Sequence, residues 1–452
     1  MTRRFLGLAL LLLPAVAGAQ KSPKKPPEPA KPAPAPAAPK APPAAPSVNP
    51  AFKSAVDYYQ QQEATGNWSK SACQNAAAKF EDAGKQMKSA DAYFNAGASY
   101  AKCRMWDDAK GMYEKAMSIV PDHASSLGGL GEIALRQGRD ADAQRYFERA
   151  VDLKNKTTGF ATGARNNLAV LIYKKIRLTT DVNARKQLED QAFVLLQTVL
   201  AVDSDNVFAY TLMALIYLEG ADRNKSRLNL AQILIDQAKK RNDKYAPLWN
   251  ASGLLRMARD QVSTATKDFR QAVQLDGNFI EARMNLAQIL LSGRNYGEAE
   301  QHFREVLKQQ SKNYDATIGL GVALRGAATV LRVQGAMPES QSKIDEAEKL
   351  YNAAMQIDSK RPDAYYNLGL IYKDYRTNDS DLKKQIEGFR KAKNYFNDYL
   401  ARADKASTKR KEAESNISAC DANIDALNQA LQIQGSSPPP TPTAPGGKAS
   451  NP

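Results

Sequence analysis

Residues 90–123, ADAYFNAGASYAKCRMWDDAKGMYEKAMSIVPDH, and residues 124–157, ASSLGGLGEIALRQGRDADAQRYFERAVDLKNKT, are two copies of one 34-residue pattern. In the first copy the marks are Tyr93, Ala96-Gly97, Tyr100, Ala109, Tyr113, Ala116 and Pro121. In the second they are Leu127, Leu130-Gly131, Ala134, Ala143, Phe147 and Ala150, at the same intervals. Apolar residues three and four apart in each half predict two helices per copy. A small residue at the eighth position lets the first helix approach the second, another at the twentieth lets the second approach the first, and large side chains fill the space between. Such a unit cannot cover its own apolar face, so stacked neighbours are required.

Later copies keep the marks: Trp249, Gly253, Ala265, Phe269 and Ala272, then Leu286-Ala287, Ala299 and Phe303, then Tyr365, Leu368-Gly369 and Tyr372. Four copies need extra residues between their two helices, expected as insertions joining the first helix to the second: Leu168-Ala169 pairs with Ala192 and Leu196, Met213-Ala214 with Ala231 and Ile235, Leu320-Gly321 with Ala347 and Tyr351, and Leu368-Gly369 with Ala392 and Phe396. The pattern resembles the tetratricopeptide (TPR) repeat. The resemblance implies an all-α fold, a right-handed superhelical solenoid of TPR helix pairs with a C-terminal capping helix. Eight repeats are expected over 90–400, preceded by a degenerate copy over 51–89 marked by Ala76, Phe80 and Ala83. A helix over 401–434 carries Ile417, Cys420, Ile424, Leu427 and Leu431 on one face. It is expected to cap the array, with a dimerising coiled coil as the alternative.

Outside the array, Arg3-Arg4, the apolar run Phe5–Val16 and Ala17-Gly18-Ala19 predict a signal peptide over 1–19. The mature protein is therefore expected to be exported to the periplasm. Residues 20–50 are nearly all Pro, Ala and Lys and predict a disordered, extended spacer. Residues 435–452 predict a disordered tail. No stretch after the leader reads as long and apolar enough for a transmembrane segment, and no Cys follows the leader to take a lipid, so any outer-membrane association is expected to be peripheral or through a partner.

The chain carries 63 Lys and Arg against 48 Asp and Glu, a formal charge of +15. The basic residues are interleaved with acids throughout, as solvated helix faces require. No nucleic-acid surface is expected, while peripheral contact with anionic membrane or wall is compatible with the excess charge. Phosphate loops, nucleophile elbows, metal-ligand spacings and Cys/His nucleophile pairs are missing from the sequence, which predicts no catalytic residues, no metal site and no cofactor. The only histidines, His123 and His302, belong to distant repeats, and Asp107-Asp108 falls where a helix start favours acids. In the repeat reading Cys73 lies near the start of a second helix and Cys103 near the end of the next first helix, which makes these ends neighbours. A disulfide is expected there, with two free buried thiols as the alternative.

In the family, partners commonly lie against the first helices at set positions. Mapped onto this chain those positions hold Phe94, Tyr173, Phe208, Leu215, Leu218, Leu254, Met257, Met284, Leu291, Ile318, Val322 and Tyr366, with Arg325 and Lys373 near one end. The set suits an apolar or amphipathic protein segment. Internal packing of part of it is the alternative. Phe94 and Ala98 stand where clamps for acidic chain ends carry Lys and Asn, so no such clamp is expected. Asn95, Asn167, Asn285 and Asn367 share the sixth position, where structural hydrogen bonding is expected. The implied function is a non-enzymatic protein-binding scaffold of the bacterial cell envelope. A cell-wall or polysaccharide-binding module, or a specificity subunit of an envelope enzyme, are the alternatives. The leader, spacer, early cysteine pair and divergent array are also similar to periplasmic TPR proteins of gliding delta-proteobacteria, including the adventurous gliding-motility one, which implies a part in a motility machine.

Overall fold

The computed structural model describes residues 49–152, 161–221 and 224–436. The expected leader, most of the spacer and nearly all of the tail lie outside them. Among the described residues every regular element is an α-helix. The chain divides into two compact units, one up to Gln261 and one from Val262.

The first unit runs α1 (Pro50–Thr65), α2 (Lys70–Met87), α3 (Ala90–Lys102), α4 (Trp106–Ile119), α5 (Ala124–Arg136), α6 (Asp140–Val151), α7 (Thr162–Leu178), α8 (Val182–Val202), α9 (Val207–Glu219), α10 (Arg227–Arg241) and α11 (Ala246–Ala258). The second runs α12 (Val262–Leu275), α13 (Ile280–Ser292), α14 (Tyr296–Gln309), α15 (Tyr314–Val333), α16 (Met337–Ile357), α17 (Asp363–Tyr375), α18 (Leu382–Arg402) and α19 (Arg410–Ser436). Within each unit helices pack on their sequence neighbours, and first helices also touch the next first helix: α3 on α5, α5 on α7, α7 on α9 and α9 on α11, then α13 on α15 and α15 on α17. This is the stacking of a solenoid, in which each pair covers the apolar face of the one before.

The local rules are visible at helix starts. Ser69, Asp181, Asn206 and Asn313 each accept a backbone N–H from the first turn of the helix that follows, at 2.7–3.1 Å, which satisfies donors the helix itself leaves unpaired. The close approach inside a pair depends on the small residues. A Cβ built on Gly131 would stand 2.4 Å from the ring of Phe147, and one on Gly321 would stand 2.5 Å from Tyr351. Both rings are fully buried, so the aromatic of the second helix occupies the volume that a side chain on the first would need.

The extra residues of two of the four long copies go into helix rather than loop. Ordinary first and second helices such as α13 and α14 have 13 and 14 residues, whereas α15 and α16 have 20 and 21. That lengthens both arms of one hairpin by about two turns. Likewise α7 and α8 reach 17 and 21 residues. In the copy of α17 and α18 only α18 lengthens, to 21 residues, and α9 and α10 are joined by a longer connection instead. Extending a hairpin keeps every new backbone group hydrogen-bonded, which a loop of equal length would not do.

One sequence expectation is corrected here. Helix α15 is long and apolar enough by length and composition to cross a membrane. Its apolar residues Ala316, Leu320, Ala323, Leu324 and Ala328 are buried where it packs against α14 and α16, so repeat packing accounts for part of its hydropathy, while Val330 and Val333 stay exposed. A plain apolar count overlooked it because Asp315, Arg325 and Arg332 interrupt the run.

A disulfide joins Cys73 in the first turn of α2 to Cys103 at the end of α3, with Cα atoms 6.2 Å apart. It ties the first helix pair to the next. At the other end α19 lies along α18. Its Ala413 and Cys420 are buried with Tyr365, Tyr366, Ala392, Phe396 and Tyr399, and Ile417 packs beside them. Polar contacts fix its register: Lys373 Nζ donates to Asn416 at 2.8 Å and Lys393 to Asp421 at 2.6 Å.

Candidate partner-binding surface

The twelve side chains mapped from the repeat positions divide by burial. Tyr173, Leu215, Leu218, Met284 and Tyr366 are buried, and Phe94, Phe208, Leu254, Met257, Leu291, Ile318 and Val322 are half-buried. Tyr173 and Tyr366 are engaged inside the array, one by the next repeat and the other by the second helix of its own. Tyr173 donates its hydroxyl to the Glu219 carboxylate at 3.0 Å; burial first, and the Glu219 charge next, push that hydroxyl well above the ordinary tyrosine range. Tyr366 meets Phe396 edge-on at 5.9 Å between ring centres and Tyr399 at 5.2 Å, with the Lys409 ammonium 4.8 Å from its ring centre. Phe94, though half-buried, stacks on Tyr113 at 5.8 Å and lies 6.0 Å from the His123 ring.

The accessible remainder is a set of apolar edges on neighbouring first helices. Phe208 on α9 and Leu254 and Met257 on α11 serve the first unit. Leu291 on α13 and Ile318 and Val322 on α15 serve the second. Of the two cations noted at one end, Lys373 is engaged by Asn416 of α19. Arg325 reaches Asn367 at 3.5 Å through Nη2, while its buried Nε has no hydrogen-bond partner. The amide of Asn367 donates to the Asp363 carbonyl one turn back at 2.8 Å, so this sixth-position Asn serves the helix.

Sequence reading missed a charged network in the first unit. Glu189 of α8 accepts from Arg227 of α10 at 3.0 Å and faces Arg185 at 3.4 Å. Arg227 also donates to the carbonyls of Ile216 and Tyr217 at 2.8 and 3.0 Å, and Arg185 donates to the carbonyl of Glu219. Those carbonyls lie in the last turn of α9, where the ladder runs out of N–H donors; that of Tyr217 also accepts from the Gly220 N–H at 3.4 Å. The Arg177 guanidinium meets the Glu219 carboxylate at 3.1 Å. Side chains from α7, α8 and α10 thus meet at the end of α9, where Arg185 and Arg227 act as its cap. The only sequence signal was the Arg185/Glu189 spacing of four residues, which is common on any solvated helix.

The two histidines do separate things. His123 begins α5, its Nδ1 2.8 Å from Ser126 Oγ and its Nε2 3.0 Å from Asp91. His302 in α14 has Nδ1 3.2 Å from Arg283, and burial, followed by the Arg283 charge, lowers its pKa below the ordinary 6.5. Asp107 and Asp108 lie in the first turn of α4. Among the described residues no group of three or more His, Cys, Asp or Glu could hold a metal ion. An open cleft of about 490 Å³ lies among α6, α7 and α8, with Leu168, Ile172, Leu188, Val194 and Leu195 along it and Gln144, Glu148, Lys175, Asp190 and Gln191 also lining it.

Family models for the tetratricopeptide repeat match residues 88–156, 250–316 and 284–329, and a TPR repeat model matches residues 340–374. These matches fall on the helix pairs described above. The chain is a tetratricopeptide-repeat protein. Among curated proteins, this TPR chain is 43% identical over 49 residues to cellulose synthase operon protein C of Komagataeibacter xylinus, a segment that is 11% of this chain and 4% of that relative. Among solved structures, the TPR protein YrrB, described as having an unusual peptide-binding site, is 16% identical with a TM-score of 0.31, covering 45% of this chain and 95% of that one. Yeast Tom70 is 15% identical with a TM-score of 0.30, covering 84% and 99%. The human IFIT1 dimer with PPP-AAAA is 13% identical with a TM-score of 0.40, covering 84% and 91%.

Proposed function

We propose that this TPR protein is a non-enzymatic scaffold of the bacterial cell envelope that binds apolar or amphipathic segments of other proteins along its first helices. The observation that carries the reading is the placement of Phe208, Leu254 and Met257, half-buried apolar side chains on the adjoining first helices α9 and α11. Apolar surface of this kind suits helix-in-groove or extended-segment recognition. The envelope setting and export to the periplasm rest on the leader-like first nineteen residues. A role in a gliding-motility machine is the finer form of the proposal and rests on the sequence resemblance. The second reading, a specificity subunit or wall-polysaccharide-binding partner of an envelope enzyme, draws on the short likeness to cellulose synthase operon protein C.

The test is crosslinking and affinity purification of the full chain from its native cells, followed by mass spectrometry, beside the double variant Leu254→Glu, Met257→Glu. These two positions are partly exposed and tolerate charge, whereas Leu215, 2% exposed, would unfold its repeat. Specific envelope proteins recovered by the wild type and lost by the folded variant support the scaffold. Recovery of wall glycan alone overturns it in favour of the second reading.

A further inference from the structure

The turn between α7 and α8 is a three-residue connection, Thr179-Thr180-Asp181, at the tip of a lengthened hairpin. Its flanking residues are apolar and point into solvent: Leu178, the last of α7, is 68% exposed, and Val182, the first of α8, is 60% exposed. The turn holds them there. Thr179 bonds back to the Lys175 carbonyl through both its N–H and its hydroxyl, and the Asp181 carboxylate accepts from Ala184 N at 2.7 Å. The tip is built from satisfied helix ends.

The charge around this tip is one-sided. Residues 174–186 contain Lys174, Lys175, Arg177, Arg185 and Lys186 against the single acid Asp181, and that acid is engaged as the cap of α8. Lys174 is offset by Asp140, Arg177 by Glu219 and Arg185 by Glu189. Lys175 donates to the uncharged Gln144 amide oxygen in the cleft that Glu148 and Asp190 also line, and Lys186 is exposed; neither ammonium is held in an ion pair among the described residues. Two exposed apolar side chains flanking the turn, with a lysine one turn away on each helix, make a patch far smaller than the roughly 800 Å² per partner of a stable protein interface. A lipid surface accepts such a point contact: the acyl boundary takes the apolar pair and anionic headgroups take the lysines.

We propose that the α7–α8 tip is a peripheral contact for an anionic lipid surface, with Leu178 and Val182 inserting and Lys175 and Lys186 pairing with headgroups. The proposal is independent of the scaffold reading. It is tested on the full chain with vesicles of phosphatidylcholine containing about a third phosphatidylglycerol. The expected result is cosedimentation that weakens with salt, falls about tenfold or more in Leu178→Ser, Val182→Ser, and falls about fivefold for each of Lys175→Gln and Lys186→Gln. A polarity-sensitive dye on Leu178→Cys gives the positional readout, since Cys73 and Cys103 are bonded and Cys420 is buried. Its emission is expected to shift to the blue on vesicles. Failure to bind overturns the proposal, as does binding undiminished in the serine variant or binding with an unshifted dye, either of which would place the contact in another segment of the chain.

Discussion

Substituting Gly131 and Gly111 by Ala separates the two roles a helical glycine can have in this array. Both lie inside helices, α5 and α4, so each gains about 0.8–1.0 kcal/mol of helix propensity on becoming Ala. Nothing lies within 4 Å of a Cβ at Gly111, and Gly111→Ala is expected to stabilise its repeat by about that amount. At Gly131 the new Cβ stands 2.4, 2.6 and 2.9 Å from three carbons of the Phe147 ring, about 1 Å inside ordinary contact. Phe147 is fully buried and cannot swing out, so the helices must part or the ring must leave its rotamer, at about 1–3 kcal/mol. Propensity cancels between the two variants, and the steric cost remains as their difference. Because a long array need not unfold as one unit, the assay is hydrogen exchange of α5 and α6 amides resolved by mass spectrometry, with Phe147→Leu as the partner mutation. Faster exchange in Gly131→Ala, at least partly reversed by Phe147→Leu, is expected, with a coupling of about 1 kcal/mol or more. A Gly131→Ala variant as protected as Gly111→Ala, or one that Phe147→Leu does not relieve, would refute the argument that the ring occupies the space of the eighth position.

Two further outcomes follow from the site chemistry. The Cys73–Cys103 bond spans 30 residues, so its reduction removes up to about 3–4 kcal/mol of loop-closure stabilisation; exchange in α1 and α2 should quicken under reductant, and protection unchanged in Cys73→Ser, Cys103→Ser would show that the bond contributes nothing. His302 has a folded pKa below its ordinary 6.5, from burial and then Arg283. The unfolded chain therefore binds the proton more readily, and the stability this group contributes is present above pH 6.5 and lost as pH falls from there through the folded pKa. A thermal midpoint falling between pH 7 and 5.5, with a smaller fall in His302→Gln, is the expected observation, and equal falls in both proteins would rule His302 out as the cause.

Much of the fold was legible because the repeat encodes it locally and redundantly. Ala109, Tyr113, Ala143 and Phe147 are buried as their positions in the pattern require, since a side chain at a given phase of a 34-residue unit meets the same neighbour in every copy. The candidate surface was legible only in part. Tyr366 and Leu254 occupy groove positions of the same family pattern, yet Tyr366 is buried among Phe396, Tyr399 and α19 while Leu254 stays half-open. The difference lies in which element comes next in space, and that information is not carried by the residue or its period.

What the sequence by itself determined was the helical state, the period, the pairing of helices and the glycine and alanine positions at which they touch, all set by contacts within one unit or between adjacent units. The tertiary structure alone decided that extra residues lengthen α7, α8, α15 and α16 rather than forming loops, that Arg185 and Arg227 close the end of α9, and that Leu178 and Val182 stand in solvent at a cationic tip. These depend on unpaired carbonyls, charges and apolar atoms brought together from three or four helices, and no single helical period records such meetings.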